Sequence, residues 1–401
     1  MTLAHGRQYL AIPGPSVMPD RVLQAMHRAA PNIYTGELHD MVGGMIPDLQ
    51  ALARTRHNVA IYIANGHGAW DASLANTVNR GERVLVLATG RFGLGWGDAA
   101  RGMGIETDTL DFGKQSTIDP DQLSAALAAP GAGEYKAVLM VQTDTSTSVK
   151  NDVQAVRAAL DAAGHPALLM VDCMASLGCD PFEMDAWGVD VMVAGCQKGL
   201  MTPPGLGFVF FNDRAAAQRE TVQFVPRYWD WKPRADPQEF YQYFGGTAAT
   251  HHAYGLRAAL DMIGEEGLEN VWARHATLAR AIWSAAEIWG GEGPIRLNIA
   301  DPALRAHSVT AFRTGMPYGR LLRDWVTENA GVTLGIGVGM NTPEDPRAEG
   351  YFRIGHMGHV NAHMILGVLG VIEAGLIALD IPHGQGAVAA AAAVCAAHPA
   401  G

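Results

Sequence analysis

A lysine and an aspartate stand at positions where a buried sheet could bring them to one site. Lys198, one of five lysines in the chain, follows the apolar run 190–194, and Asp172 directly follows the apolar run 167–171. Because α/β proteins bind ligands at the carboxyl ends of parallel strands, both side chains are expected at such an edge. A desolvated amine has a lowered pKa and can attack a carbonyl carbon to form a Schiff base. A lysine that reaches solvent and an aspartate that caps the next helix are the simpler alternatives.

Two further motifs favour an anionic ligand. Gly66, His67 and Gly68 lie between the apolar run 59–63 and a helical pattern over 69–79, where backbone N–H groups can approach a phosphate and His67 adds a donor. Arg353 lies within the apolar segment 351–354, and its planar guanidinium suits a substrate α-carboxylate. An ordinary strand-to-helix turn and an internal ion pair are the respective alternatives.

Two rival motifs are weaker. Residues 95–100 have the GxGxxA spacing of a dinucleotide-binding turn, but they begin well after the apolar run 83–88 has ended. His356, His359 and His363 have a spacing that could hold a metal, but no carboxylate lies close by in sequence. We therefore predict neither a nicotinamide site nor a metal site.

The elements that position these residues are predicted from apolar runs that alternate with helical patterns. Runs without inside/outside alternation, separated by enough residues for a crossover helix, indicate a mainly parallel sheet covered on both faces. The last two apolar runs, 190–194 and 207–211, are joined only by a loop that contains Pro203, Pro204 and Gly205, which favours an antiparallel return. The six runs are 59–63, 83–88, 137–141, 167–171, 190–194 and 207–211.

The sequence pattern changes after residue 266. Long helical patterns there surround strands predicted at 308–313 and 351–354 and a glycine-rich stretch at 331–339. This pattern predicts an N-terminal arm (1–20), a large domain (21–266), a smaller α+β domain (267–390) and an alanine-rich tail (391–401). The tail is expected to be a short helix or a frayed end.

Composition excludes several classes of function. The chain has 401 residues and a formal net charge of -11, which is too acidic for a protein that neutralises nucleic-acid phosphates or anionic lipid. No signal peptide or membrane-spanning run is evident. The four cysteines lack paired spacing, so we expect reduced thiols and a cytoplasmic location; they are Cys173, Cys179, Cys196 and Cys395.

The order of these motifs resembles the class V branch of fold-type I pyridoxal phosphate (PLP) enzymes, in particular the alanine, serine and aspartate-glyoxylate aminotransferases. The resemblance runs from residues 13–15 to 353–356 and is most specific at 172–176, 195–199 and 203–205. It implies an α/β fold of fold type I, with a seven-stranded, mainly parallel sheet in the large domain. PLP as cofactor and a homodimer with shared active sites are implied as well.

The resemblance also implies a role for individual residues. Lys198 matches the Schiff-base lysine that shuttles the substrate proton, Asp172 the partner of the pyridine nitrogen, and Arg353 the carboxylate clamp. Thr247 matches a residue that reaches the phosphate of the neighbouring subunit, and Tyr34 and Thr35 lie in the loop that borders the substrate. The remaining cofactor-binding residues implied are Gly66, His67, Gly68, Phe92, Thr145, Met174 and Gln197.

The expected reaction is transamination from serine, alanine or aspartate to a 2-oxo acid, with glyoxylate the expected acceptor. Phe244 stands where many relatives have a tyrosine, so Tyr243 is the alternative source of that hydroxyl, and residues 32–37 lack the Asp-His-Arg of many relatives. A pyruvate-linked aminotransferase, including the pyridoxamine-pyruvate type, and a class V lyase such as a cysteine desulfurase are alternatives on the same fold. The lyase is disfavoured because the loop 331–350 contains no cysteine. A binding protein of the same fold without catalytic activity would be expected to lack Lys198 or Asp172, and this chain has both.

Overall fold

The computed structural model describes residues 2–398. The strands are, in chain order, β1 (Tyr9–Ala11), β2 (Asn58–Tyr62), β3 (Arg83–Ala88), β4 (Glu106–Asp111), β5 (Tyr135–Val141), β6 (Thr143–Asp144), β7 (Val149–Lys150), β8 (Leu168–Asp172), β9 (Val191–Gly195), β10 (Gly207–Phe211), β11 (Arg296–Leu297), β12 (Val309–Arg313), β13 (Val332–Ile336) and β14 (Tyr351–Gly355).

The α-helices are α1 (Asp20–Met26), α2 (Glu37–Leu52), α3 (Gly66–Thr77), α4 (Arg91–Gly102), α5 (Pro120–Leu127), α6 (Val153–Ala162), α7 (Asp213–Arg219), α8 (Lys232–Ala235), α9 (Thr250–Glu266), α10 (Leu268–Gly291), α11 (Tyr318–Ala330), α12 (Ala362–Ala378) and α13 (Ala387–Ala396). Short 3-10 turns span Ala132–Glu134, Phe240–Phe244 and Pro302–Leu304. No helix among residues 2–398 combines the length and the apolar character needed to span a bilayer.

A seven-stranded sheet in the order β2-β10-β9-β8-β5-β3-β4 forms the centre of the larger part of the molecule. Only β10 runs antiparallel to its neighbours, β2 and β9, so the predicted, mainly parallel sheet and its antiparallel return are confirmed. Successive residues of β9 are buried in different clusters, Met192 and Ala194 in one and Val191 and Val193 in the other. This two-sided burial explains why the strands lack alternation in sequence.

A second sheet has the order β1-β13-β14-β12-β11 and packs with α10, α11, α12 and α13 around a separate hydrophobic cluster. The predicted strands at 308–313 and 351–354 correspond to β12 and β14. Three of its strands were not predicted: β13 lies inside the glycine-rich stretch, β1, in the expected N-terminal arm, pairs in parallel with β13, and the two-residue β11 pairs with β12. All three are short, and none is buried along its whole length, which leaves a weak sequence signal.

Residues 391–396 of the predicted tail belong to α13, which begins at Ala387, packs on α10 and buries Ala387 and Ala391. The last three residues of the predicted tail, 399–401, lie outside the described part of the chain. The predicted boundary after residue 266 falls at Gly267, between α9 and α10, where φ is 83°. The domain limits themselves stay a prediction.

Candidate active site

The carboxyl ends of β5, β8 and β9 meet the start of α3 at a cavity of about 230 Å³. This cavity brings together most of the residues that were predicted to form the site. Its lining residues are Asn65, Gly66, His67, Trp70, Phe92, Val141, Thr143, Thr145, Asp172, Met174, Ala175, Gln197 and Lys198.

Lys198 lies in the loop after β9, with its amine held inside the protein. Its Nζ donates a hydrogen bond to the carbonyl oxygen of Pro13, and the Ser16 hydroxyl donates to the Lys198 carbonyl oxygen at 2.7 Å. Gly14 packs directly on the lysine, because a Cβ at this position would lie 2.6 Å from Lys198 Cδ. Burial, with the nearby positive charge of Arg353 as a second cause, lowers the pKa of Lys198 to about 8. Lys198 is therefore a more available nucleophile than an exposed lysine.

Asp172 is the last residue of β8, and both of its carboxylate oxygens accept hydrogen bonds. Oδ2 accepts from the indole N–H of Trp70 at 2.7 Å, and Oδ1 accepts from the backbone N–H of Met174 at 2.6 Å. Burial nevertheless raises the pKa of Asp172 to about 6, because desolvation outweighs these two donors. The group remains mostly ionised at neutral pH and is fixed in orientation.

The glycine-rich start of α3 is capped by Asn65. Its side-chain oxygen accepts from the backbone N–H groups of His67, at 3.1 Å, and Gly68, at 3.4 Å. Gly66 packs against Met174, whose Cε would lie 2.9 Å from a Cβ at Gly66. Gly66 and the exposed His67 line the cavity, whereas Gly68 does not. Asn65 therefore already occupies two donors of the predicted phosphate turn.

A buried aspartate that the sequence analysis gave no role holds the wall of the cavity formed by Phe92 and Thr145. Asp144 Oδ2 accepts from the N–H groups of Phe92 at 2.9 Å and Gly93 at 3.3 Å, and Oδ1 accepts from the Ser146 N–H at 2.9 Å. These bonds fix the start of α4, which carries Phe92, against the loop that carries Thr145.

Arg353, in β14, connects the second sheet to the cavity. Its Nε donates to the carbonyl oxygen of Ile336 and its Nη1 to that of Thr145, both at 2.6 Å. Neither bond uses Nη2. Burial lowers the pKa of Arg353 to about 10, so the side chain remains a cation at neutral pH. It is not among the cavity's lining residues, but it contacts the backbone of one that is.

Besides Gly68 and Arg353, three predicted site residues do not line the cavity of this chain. Thr247 is exposed between the 3-10 turn at Phe240–Phe244 and α9, and Tyr34 and Thr35 are exposed before α2, Tyr34 with 81% of its surface accessible. Phe244 is buried in the core, and Tyr243 is partly buried away from the cavity. The roles of these residues stay predictions.

The rival motifs have structural explanations. Residues 95–100 lie within α4 and form no turn after a strand. His356 is fully buried, with Nε2 and the Thr310 hydroxyl 2.9 Å apart, and burial lowers its pKa to about 3. His359 and His363 line a separate surface groove. In residues 2–398, no group of three or more His, Cys, Asp or Glu side chains is arranged to hold a metal ion.

Sequence reasoning missed Trp70, Asp144 and Pro13 as parts of the site. Trp70 follows the glycine turn by one helical turn on α3, and this spacing is the signal that could have placed it beside the cavity. The cavity also contains polar atoms without a protein partner: Thr143 Oγ1 and Gln197 Oε1 are both buried and unbonded. Such atoms are expected to bind a ligand or water.

Comparison with protein families agrees with this geometry. The family model described as aminotransferase class-V matches residues 8–337. The chain therefore belongs to the class V aminotransferases. It is 34% identical over 396 residues to serine-glyoxylate aminotransferase of Methylorubrum extorquens, covering 96% of this chain and 95% of that protein. It is 33% identical over 392 residues to L-aspartate-glyoxylate aminotransferase of Paracoccus denitrificans, covering 95% and 94%.

Solved structures show the same fold. Ureidoglycine-glyoxylate aminotransferase from Bacillus subtilis superposes with a TM-score of 0.87 at 24% identity, covering 98% of this chain and 99% of that one. Pyridoxamine-pyruvate aminotransferase from Mesorhizobium loti gives the same TM-score, identity and coverage. The predicted fold type I is therefore confirmed.

Proposed function

We propose that the protein is a PLP-dependent aminotransferase that moves the amino group of serine, alanine or aspartate to a 2-oxo acid, with glyoxylate as the preferred acceptor. The observation that carries the proposal is the pairing of a desolvated amine, Lys198, with an ionised, doubly hydrogen-bonded carboxylate, Asp172, in one cavity. The choice of acceptor is supported by the two relatives named as glyoxylate aminotransferases.

The residues present fit the cofactor group by group. Lys198 supplies the amine for its aldehyde, and Asp172 supplies a negative charge for its ring nitrogen. Phe92 supplies an aromatic face for the ring, while the start of α3, His67 and Gln197 supply polar atoms for the phosphate. The unbonded Thr143 Oγ1 supports the fit, because a buried hydroxyl requires a partner, whereas Gln197 can serve the phosphate only through the N–H groups of its amide.

Bound PLP supplies an electron sink that makes the α-hydrogen of an amino acid acidic. The chain's own residues then divide the remaining tasks. With PLP bound, Arg353 would bind the substrate carboxylate, Lys198 would be the base that takes up the α-proton, and Asp172 would hold the ring nitrogen in its protonated form. The partial closure of the site by Pro13 and Gly14 limits the access of water to the amine.

We further propose a homodimer with shared active sites. Thr247, Tyr34 and Thr35 are exposed and lie away from the cavity of their own chain, as expected for residues that act at the site of a second copy. A measured mass of one chain in solution, with full activity, would contradict this proposal.

The function is tested with the purified protein, PLP and a panel of amino acids that begins with serine, alanine and aspartate. We expect a visible absorbance band on addition of PLP, its loss on addition of the donor, and one equivalent of glycine from glyoxylate per keto acid formed. Turnover with free pyridoxamine and pyruvate would favour the pyridoxamine-pyruvate alternative, and bleaching without a keto acid would favour a lyase.

Arg353→Lys is expected to raise KM for both the amino donor and the 2-oxo acid by about tenfold to a hundredfold, with a smaller change in kcat. The reason is that a lysine lacks the planar pair of donors that matches a carboxylate. Steady-state kinetics with both substrates measures the effect. Arg323→Lys is the control, because Arg323 is a partly buried arginine beside β14 that donates to the Tyr351 carbonyl oxygen at 3.0 Å. Equal KM values for both variants would contradict the role of Arg353.

A further inference from the structure

One indole contacts three of the groups that the proposed function assigns to the cofactor. Trp70, on α3, is 2% exposed and donates its N–H to Asp172 Oδ2 at 2.7 Å. The centroid of its ring lies 4.7 Å from the centroid of the His67 imidazole, in an edge-to-face arrangement, and 6.5 Å from the centroid of the Phe92 ring. The same side chain therefore contacts the candidate partners of the ring nitrogen, the phosphate and the ring face.

The hydrogen bond matters because Asp172 is buried. A carboxylate that loses water needs donors to remain charged, and within residues 2–398 the donors to this one are the Trp70 indole and the Met174 backbone N–H. The backbone donor is set by the path of the chain after β8, whereas the indole is supplied by a different element. Trp70 is thus the side chain whose replacement changes the environment of Asp172 without altering the local backbone.

We propose that Trp70 is a positioning residue that orients Asp172 toward the cofactor ring and keeps it ionised, and that it thereby sets the affinity for PLP. This inference rests on the proposed function, since it concerns the same cavity. It assigns Trp70 no contact with the substrate; its effect is transmitted through Asp172.

The chain contains a matched control for this bond. Trp96, on α4, is fully buried and stacks on Trp70 at a centroid distance of 6.1 Å, but its indole Nε1 has no hydrogen-bond partner among the described residues. Tryptophan to phenylalanine therefore removes the same atoms from the same aromatic cluster at either position. Only the change at position 70 removes a bond to Asp172.

The test compares wild type, Trp70→Phe and Trp96→Phe as apoproteins, with the dissociation constant for PLP measured across pH. At pH 7 we expect the affinity of Trp70→Phe to fall about tenfold or more, which is the effect of one lost hydrogen bond to a charged group. Trp96→Phe should lower the thermal stability but leave the affinity within about twofold. The loss in Trp70→Phe should be greatest near about pH 6.5 and smaller near about pH 9, because Asp172 is ionised at high pH with or without the indole.

If Trp70→Phe fails to fold, 3-benzothienylalanine at position 70 keeps the two-ring shape and replaces only the N–H by sulfur. The same pH-dependent loss is then expected. Wild-type affinity at every pH in either variant, or an equal loss in Trp96→Phe, would overturn the inference. Failure of the wild-type protein to bind PLP at all would instead overturn the proposed function.

Discussion

Lys198→Ala is expected to lower kcat for transamination by about 10⁴-fold, since the variant loses both the group that holds the cofactor and the base that moves the substrate proton. Steady-state assays measure the loss. Borohydride reduction followed by peptide mass analysis should attach the cofactor to the Lys198 peptide of the wild type and to no peptide of the variant. Retention of turnover in Lys198→Ala would end the assignment.

Lys136→Ala is the control for this experiment. Lys136 lies on β5 with 43% of its side chain exposed, and it pairs with Glu82 at 3.5 Å. An exposed ion pair of this kind contributes little to the free energy of unfolding, so kcat should stay within about twofold of the wild type. A loss as large as that of Lys198→Ala would show that charge removal in general, and not the amine in the cavity, causes the effect.

The lowered pKa of Lys198 gives the reaction with PLP a characteristic pH dependence. Only the neutral amine attacks an aldehyde, and with a pKa of about 8 the neutral fraction rises about tenfold between pH 7 and pH 9 and then levels off. An ordinary lysine, with a pKa near 10.5, would show no plateau below pH 10. Stopped-flow measurement of PLP capture by the apoprotein distinguishes the two profiles.

Asp172→Asn is expected to lower kcat by about 10²–10³-fold, because a neutral amide no longer stabilises the protonated ring nitrogen. The amide also presents an N–H where the carboxylate accepted from Trp70 or Met174, so one donor loses its acceptor. With the α-deuterated donor, the kinetic isotope effect on kcat should increase, since proton removal becomes slower than the other steps. A variant with wild-type kcat and isotope effect would show that Asp172 has a structural role alone.

Asp71→Asn is the matched control for the removal of a carboxylate. Asp71 adjoins Trp70 on α3 and is partly buried, and burial raises its pKa, but it is not among the residues that line the cavity. We expect its replacement to leave kcat and the isotope effect unchanged. A comparable loss would mean that the site responds to the charge of α3 rather than to Asp172.

The positions of Lys198 and Asp172 could be predicted because they depend on strand ends alone. An apolar run between polar segments locates a buried strand to within a residue or two, and a parallel sheet places its carboxyl ends at one edge. The predicted run 167–171 became Leu168–Asp172, a shift of one residue that left Asp172 at the edge. The resemblance to known enzymes then supplied the chemistry of the two groups.

Contacts between elements distant in sequence could not be predicted in the same way. Trp70 and Asp172 are 102 residues apart, and their hydrogen bond depends on the sheet order, which brings α3 over β9 and β10. The capping of His67 and Gly68 by Asn65 depends on a side-chain rotamer, which a motif does not specify. β13 was missed because its valine, leucine and isoleucine stand among glycines.

The N-terminal strand connects the five-stranded sheet to the lysine of the active site. β1 is pinned to the edge of the five-stranded sheet, and two residues later the chain reaches Pro13, whose carbonyl oxygen accepts from the amine of Lys198. Because so few residues separate β1 from Pro13, a displacement of β1 is expected to move the carbonyl oxygen that accepts from Lys198. A bulky fusion ahead of Tyr9 is expected to displace β1 in this way, so affinity tags for this protein should be placed at the C-terminus.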